Sequence, residues 1–159
     1  SDAVGSYEKL MEAKEFFDAN NLDKAGEALN SVNRDLLSER GQAMYDVIHA
    51  AVYAKILEET YNTAEQAYWK EDYNAAKESF AQVVFIDQTY HNGDALFYLA
   101  ESQWNTWDFD NAKETYQKVI DQYPDTNHAR TAQERIDSYN QMQENSDNTS
   151  DNTNSRGHE

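Results

Sequence analysis

Between Asn21 and Val32 the chain runs Asn21-Leu22-Asp23-Lys24-Ala25-Gly26-Glu27-Ala28-Leu29 and reaches Val32 three residues later. The same order returns over Asp72–Phe80 with Val83, and again over Asp108–Tyr116 with Val119. Each copy sets an Asn or Asp before a large apolar residue, then a second Asp or Asn, an Ala, a Glu and a large apolar residue at fixed offsets. Apolar positions three apart mark one face of a helix. Leu29/Val32, Phe80/Val83 and Tyr116/Val119 are therefore predicted to face a core, with Ala25, Ala76 and Ala112 as the small residues at which a preceding antiparallel helix approaches. Asp23, Asn74 and Asp110 are placed to cap the helix N-termini. Glu27, Glu78 and Glu114 sit one turn in, where a negative charge suits the helix dipole, and Leu22, Tyr73 and Phe109 are expected to fill the turns.

The spacing of the copies carries further information. The second and third are 36 residues apart (Asn74 to Asp110), but the first and second are 51 apart (Asp23 to Asn74), which leaves about fifteen residues, or four helical turns, to place. Residues 42–70 contain neither Gly nor Pro, and Met44, Val47, Ile48, Ala51 and Val52 keep helical spacing. One extended helix near 40–70 is predicted; a break near Glu58-Glu59 that adds a separate helix is the alternative. Val83-Val84-Phe85-Ile86 continues the helical pattern from Ala76 and Phe80. Taken together, the pattern gives an all-α chain of antiparallel helix pairs. A helical repeat domain is expected over 1–142, with units at about 6–34, 40–88 and 94–124 and a capping helix at 127–140. From Gln143 the sequence turns to Asp, Asn, Ser and Thr, so 143–159 is predicted as a disordered polar tail or linker.

Composition tempers this picture without changing it. Leu, Ile, Val and Phe number only 26 of 159 residues and the net charge is -17, a combination associated with disorder. Eleven Tyr, three Trp and nineteen Ala offset that, because large rings packed on small residues fill a core at regular intervals. Thirty acids against thirteen bases would repel a phosphate backbone, so no nucleic acid is expected as partner. No apolar stretch approaches the ~20 residues of a membrane span, so no direct membrane insertion is expected of this segment. A chain that opens on Ser rather than Met is expected to be a mature or excised fragment. Without Cys, disulfides and Cys-ligated zinc are ruled out.

The third copy, read with its preceding helix, is Leu96-x2-Leu99-Ala100-x2-Gln103, then Ala112-x3-Tyr116, then Pro124. With Leu for Trp, Ala for Gly and Gln for Tyr, it resembles a tetratricopeptide repeat. The second unit fits through Ala64, Ala67, Ala76 and Phe80, with Gln88 where the family has Pro, and the first through Ala13, Phe16, Ala25 and Leu29. This resemblance, over about residues 5–140, implies a right-handed superhelix of about three repeats whose first helices line a concave groove. Carried over position by position, it implies a partner-binding groove of Tyr7, Leu10, Lys14 and Phe17 from the first unit. Tyr61, Glu65, Tyr68 and Trp69 come from the second, and Phe97, Glu101, Trp104 and Asn105 from the third. The ending Val119-Ile120-Asp121-Gln122-Tyr123-Pro124-Asp125-Thr126 is similar to repeats of exported bacterial envelope proteins. The resemblance thus implies an extracytoplasmic location at the cell envelope or surface, with the cytoplasm as the alternative.

Catalysis needs an acid, base or nucleophile beside a group that tunes it. His49, His91, His128 and His158 are scattered, no Gly-rich phosphate loop or metal-binding spacing occurs, and acid pairs such as Glu58-Glu59 read as solvated faces. No enzyme, cofactor or metal is expected. Function is sought in the groove: rings beside carboxylates suit a protein or peptide carrying Arg or Lys between apolar residues. Self-association of the extended helix around 42–56 into a homodimer is the alternative, and carbohydrate stacking on the Trp and Tyr rings a third reading. Phe16, Phe97 and Tyr61 are also candidates for plain core packing, and Trp107 is expected as a lid on its helix pair.

Overall fold

The computed structural model describes residues 2–156, and the side chains of residues 2–149. It holds seven α-helices: α1 (Ala3–Asp18), α2 (Leu22–Leu29), α3 (Glu39–Trp69), α4 (Tyr73–Ile86), α5 (Asp94–Asn105), α6 (Phe109–Gln122) and α7 (Asn127–Arg156). No strand occurs among the described residues. The chain is an all-α helical repeat, and α3 passes Glu58-Glu59 unbroken, as one extended helix. Its contacts gather into two compact units, Ser1–Glu59 and Thr60–Glu159, with the boundary inside α3.

In the first unit α1 packs on α2 through Ala13 and Ala25, both fully buried, so the absence of large side chains at these two positions sets how closely the helices approach. Leu10, Ala28, Leu29, Leu37, Ile48 and Val52 close the core around them, with Phe16, Phe17, Val32 and Met44 half-buried at its edge. Each fully buried Leu or Ile contributes about 1.5–3 kcal/mol relative to exposure. Arg34, in a 3-10 turn after α2, is held to α3 by two bonds to the Asp46 carboxylate, at 2.9 and 2.8 Å.

All three turns that join paired helices have one geometry, and it corrects the predicted caps. Asn20, Glu71 and Trp107 adopt left-handed backbone, at φ 57, 63 and 65°. The next residue's N–H reaches back five positions: Asn21 to the Phe16 carbonyl at 2.8 Å, Asp72 to Ala67 at 2.9 Å and Asp108 to Gln103 at 2.9 Å. These bonds close the carbonyl ends of the preceding helices, and the same three residues are the N-caps of α2, α4 and α6. Asn21 accepts from Lys24 N–H and Asp72 from Ala75 N–H, whereas Asp108 instead accepts from the Asn111 side chain. The cap is thus the first Asn/Asp of each motif; Asp23, Asn74 and Asp110 lie inside the first turn, because the preceding helix ends two residues earlier than a cap at those positions requires. Left-handed backbone is tolerated by Asn but costs a Trp or Glu about 1–2 kcal/mol.

In the second unit α4, α5, α6 and α7 pack in sequence as antiparallel neighbours. Ala76, Phe80 and Val83 of α4 and Ala112, Tyr116 and Val119 of α6 are fully buried, as the motif predicted. Leu96, Ala100, Ala132 and Ile136 complete the core. The link from α4 to α5 turns sharply through His91, Asn92 and Gly93, all at positive φ. A Cβ on Gly93, at φ 94°, would lie 2.5 Å from the Tyr123 ring, so only glycine lets the ring seat there.

The last helix departs from expectation. Ala129, Ala132 and Ile136 cap the unit as predicted, but α7 runs beyond residue 140 to Arg156, through the stretch expected as disordered. No Gly or Pro interrupts it before Gly157, and a helix already anchored by its first turns extends at low cost. Residues 140–149 are all exposed. The remainder of the predicted tail, including His158, lies outside the described residues.

Candidate interaction surface

The twelve groove positions take different places. Tyr7, Leu10, Lys14 and Phe17 belong to the first unit: Leu10 is sealed in its core, Phe17 is half-buried beside it, Tyr7 is exposed, and Lys14 pairs with Asp18 at 2.6 Å. The other eight belong to the second unit, and their fates are set by how α3 and α5 are rotated about their axes. Tyr61 is buried, its ring edge-on to Phe80 at 5.8 Å and to Tyr90 at 5.4 Å, and against His91 at 4.2 Å. Phe97 is buried too, stacked on the His128 imidazole at 3.9 Å, whose Nε2 lies 2.8 Å from the Asp94 carboxylate. Trp104 is half-buried, edge-on to Phe109 at 4.8 Å and beneath the Arg135 guanidinium at 5.7 Å. Asn105 is exposed and donates to the Glu101 carbonyl at 2.8 Å.

Glu101 and Glu65 occupy equivalent positions 36 residues apart, and the structure uses them differently. Glu101 is buried. Its carboxylate accepts from the Tyr116 hydroxyl at 2.5 Å and from Arg135 Nε and Nη2 at 3.2 and 3.3 Å, joining α5, α6 and α7. Burial first, then the adjacent Glu101 charge, holds the Tyr116 phenol well above the ordinary tyrosine range. The residue opposite Glu65 in the repeat is Phe80, which has no hydroxyl to offer. Glu65 accordingly stays half-exposed. The signal that Glu101 is structural was in the sequence: of the three copies only the third carries Tyr at that core position, and a buried phenol needs an acceptor.

Glu65 lines an open hollow of about 480 Å³ with Asn62, Gln66 and Trp69 on one face of α3 and with Lys70 just past its end. Trp69 is the dominant feature, with 68% of its surface exposed. It is nonetheless held in place, edge-on to Tyr68 at 5.2 Å and Tyr98 at 6.3 Å, and Tyr68 is pinned in turn by Tyr73 and Tyr98. Burial, then the charge of Glu101, pushes the Tyr68 phenol up to about 12. Burial is also the main cause that raises the Tyr61 and Tyr98 phenols, and the charges of Glu65 and Asp94 add to it in both. Asn62, Gln66 and Lys70 were not singled out from the sequence; the helical offsets from Trp69 would have found them. Trp107 is no lid: it projects from its turn with 82% of its surface exposed.

Among the described residues no group of His, Asp and Glu could hold a metal ion, and no helix is long and apolar enough to cross a membrane. Residues 94–126, which comprise α5, α6 and the turn after them, match the sequence model of the tetratricopeptide repeat. No curated protein matches the chain. The third repeat is therefore a tetratricopeptide repeat, a unit that generally mediates protein–protein interaction and typically serves as a non-enzymatic scaffold.

Proposed function

We propose that this chain, with its tetratricopeptide repeat, is a non-enzymatic adaptor that grips a peptide or partner helix against the α3 face bearing Trp69. The observation that carries the reading is Trp69 itself: a large indole, mostly exposed yet fixed by Tyr68 and Tyr98, next to the half-exposed Glu65. Rigid aromatic anchors with a neighbouring charge are what interface hot spots are made of. The fitting partner places an apolar side chain on the indole and a Lys or Arg toward Glu65. Of the twelve groove positions, Glu65, Tyr68 and Trp69 carry this role; Tyr61, Phe97 and Glu101 support it from within the core of the same unit, and Leu10 belongs to the core of the first unit. A pull-down from envelope and cytosolic fractions, with wild type beside Trp69→Ala, tests it. The variant is expected to keep its circular dichroism and lose the partner. Equal retention of the same proteins by both forms removes the reading. Recovery of the partner from the envelope fraction is expected, on the similarity of Val119–Thr126 to exported repeats; recovery from the cytosol alone overturns that location.

A second reading is favoured by Tyr53 and Ile56, exposed on one side of the middle of α3, which suit pairing with a second copy around 42–56. Light scattering at rising concentration decides it, a constant monomer mass counting against.

A further inference from the structure

The end of the second unit that carries the α3–α4 and α5–α6 turns holds a residue that the fold does not account for. In the first unit the left-handed turn position is Asn20, a residue suited to it; in the last repeat it is Trp107. The indole gains nothing by burial in return for this backbone strain, being 82% exposed, and it stacks on no ring or cation among the described residues. Strain and exposure combined in one large residue point outward, to something the turn meets rather than something it holds. Around it the charge is one-sided. Glu71, Asp72, Glu78, Asp108, Asp110 and Glu114 stand at this end against Lys70, Lys77 and Lys113, and Lys77 of α4 reaches Asp108 of the α5–α6 turn at 3.9 Å.

We infer that the Trp107 turn is a second docking surface, apart from the Trp69 hollow, for a partner segment in which an Arg or Lys flanks a large apolar residue. The apolar side chain lies on the exposed indole, and the cation is drawn by the surrounding carboxylates, with a cation–π contribution if it crosses the ring face. A lipid surface is disfavoured by the same acids.

The test measures binding of a short fluorescent peptide alternating Arg and Leu, and of its Glu/Leu counterpart, to wild type, Trp107→Gly, Trp107→Asn, Trp69→Ala and Trp69→Ala carrying either Trp107 substitution. Both Trp107 variants place a left-handed-tolerant residue in the turn, so their melting temperatures are expected to equal or exceed that of wild type. The Arg/Leu peptide, which also suits the Trp69 hollow, is expected to bind Trp69→Ala with salt-sensitive affinity and to bind Trp69→Ala carrying either Trp107 substitution about tenfold or more weakly. In the Trp69→Ala background, where the hollow no longer competes for the peptide, affinity unchanged by either Trp107 substitution overturns the proposal, as does equal binding of the Glu/Leu peptide. Zwitterionic phosphatidylcholine vesicles serve as the lipid arm: a blue shift of indole emission lost in Trp107→Gly assigns the turn to membrane and overturns it as well. Trp69→Ala separates the two surfaces, since its loss of binding bears on the hollow and only the Trp107 variants bear on the turn.

Discussion

Removing Glu101 and Tyr116 singly and together measures whether the carboxylate at the centre of the last repeat is structural. Glu101→Leu leaves the Tyr116 hydroxyl fully buried without its acceptor, a penalty of about 1–3 kcal/mol. It also strands Arg135, but that side chain is 39% exposed and reaches water, so its share is small. A loss of about 3 kcal/mol is expected for the single variant. Tyr116→Phe deletes one charge-assisted bond while Glu101 keeps Arg135, and about 1.5 kcal/mol is expected. In the double variant the orphaned hydroxyl no longer exists, so the loss should be about 2–3 kcal/mol and fall short of the sum by 1 kcal/mol or more. All three Trp lie in the second unit, so intrinsic fluorescence in urea follows the unit concerned, and an unchanged m-value certifies the comparison. Additivity within about 0.3 kcal/mol would falsify the proposed link, since it would mean that Glu101 and Tyr116 do not share a bond in solution.

Asp72→Ala is expected to cost about 1 kcal/mol and Asn74→Ala only a few tenths, because Asp72 accepts the Ala75 N–H; the reverse order in urea unfolding would restore the second Asn/Asp as the cap. Gly93→Ala combines a strained φ with a Cβ 2.5 Å from Tyr123 and is expected to lose about 2–3 kcal/mol, read as a lower melting temperature, whereas Gly26→Ala, at ordinary φ and 3.0 Å from a Val52 methyl, should lose less. At alkaline pH the native state holds protons on Tyr68 that the unfolded chain releases near 10, so stability is complete below pH 10 and falls as pH rises toward 12. Absorbance of the phenolate should show late ionisation of Tyr68 coupled to that loss, and a midpoint in urea unchanged between pH 9 and pH 11 would contradict the burial of the ring cluster.

The sequence pattern specified the helices more fully than their rotations. Ala25, Ala76 and Ala112, with Phe80/Val83 and Tyr116/Val119, were legible because a core face repeated three times leaves little choice about what is inside. The caps were displaced by two residues because each motif offers two Asn/Asp positions. What selects between them is the end of the helix before, fixed by a left-handed residue that in two of the three turns is Glu71 or Trp107 rather than the Gly or Asn that would have announced it. Tail helicity was missed for a related reason: composition judges 143–156 by itself, whereas a helix already anchored at Ala129, Ala132 and Ile136 has its nucleation cost met.

Ring fates show where pattern reading stops. Over Ala95–Ala100 every position is apolar, so a stripe cannot be told from its neighbour, and a rotation of one residue, about 100°, exchanges core for surface. In α3 the same step separates Tyr68, half-buried at the junction of four rings, from Trp69, which projects from it. Such a junction makes an exposed indole useful. An isolated surface Trp would have to be immobilised on binding, at a cost of about 0.5–1.5 kcal/mol in side-chain freedom, whereas Trp69 is already held by Tyr68 and Tyr98. In the third repeat the equivalent carboxylate, Glu101, is bonded to Tyr116 and Arg135 and ties α5, α6 and α7 together. The second repeat, with Phe80 in place of a phenol, leaves Glu65 turned toward the hollow. On the proposed reading, one substitution in a core motif thus divides two otherwise similar repeats, one using its carboxylate within the core and the other presenting it to a partner.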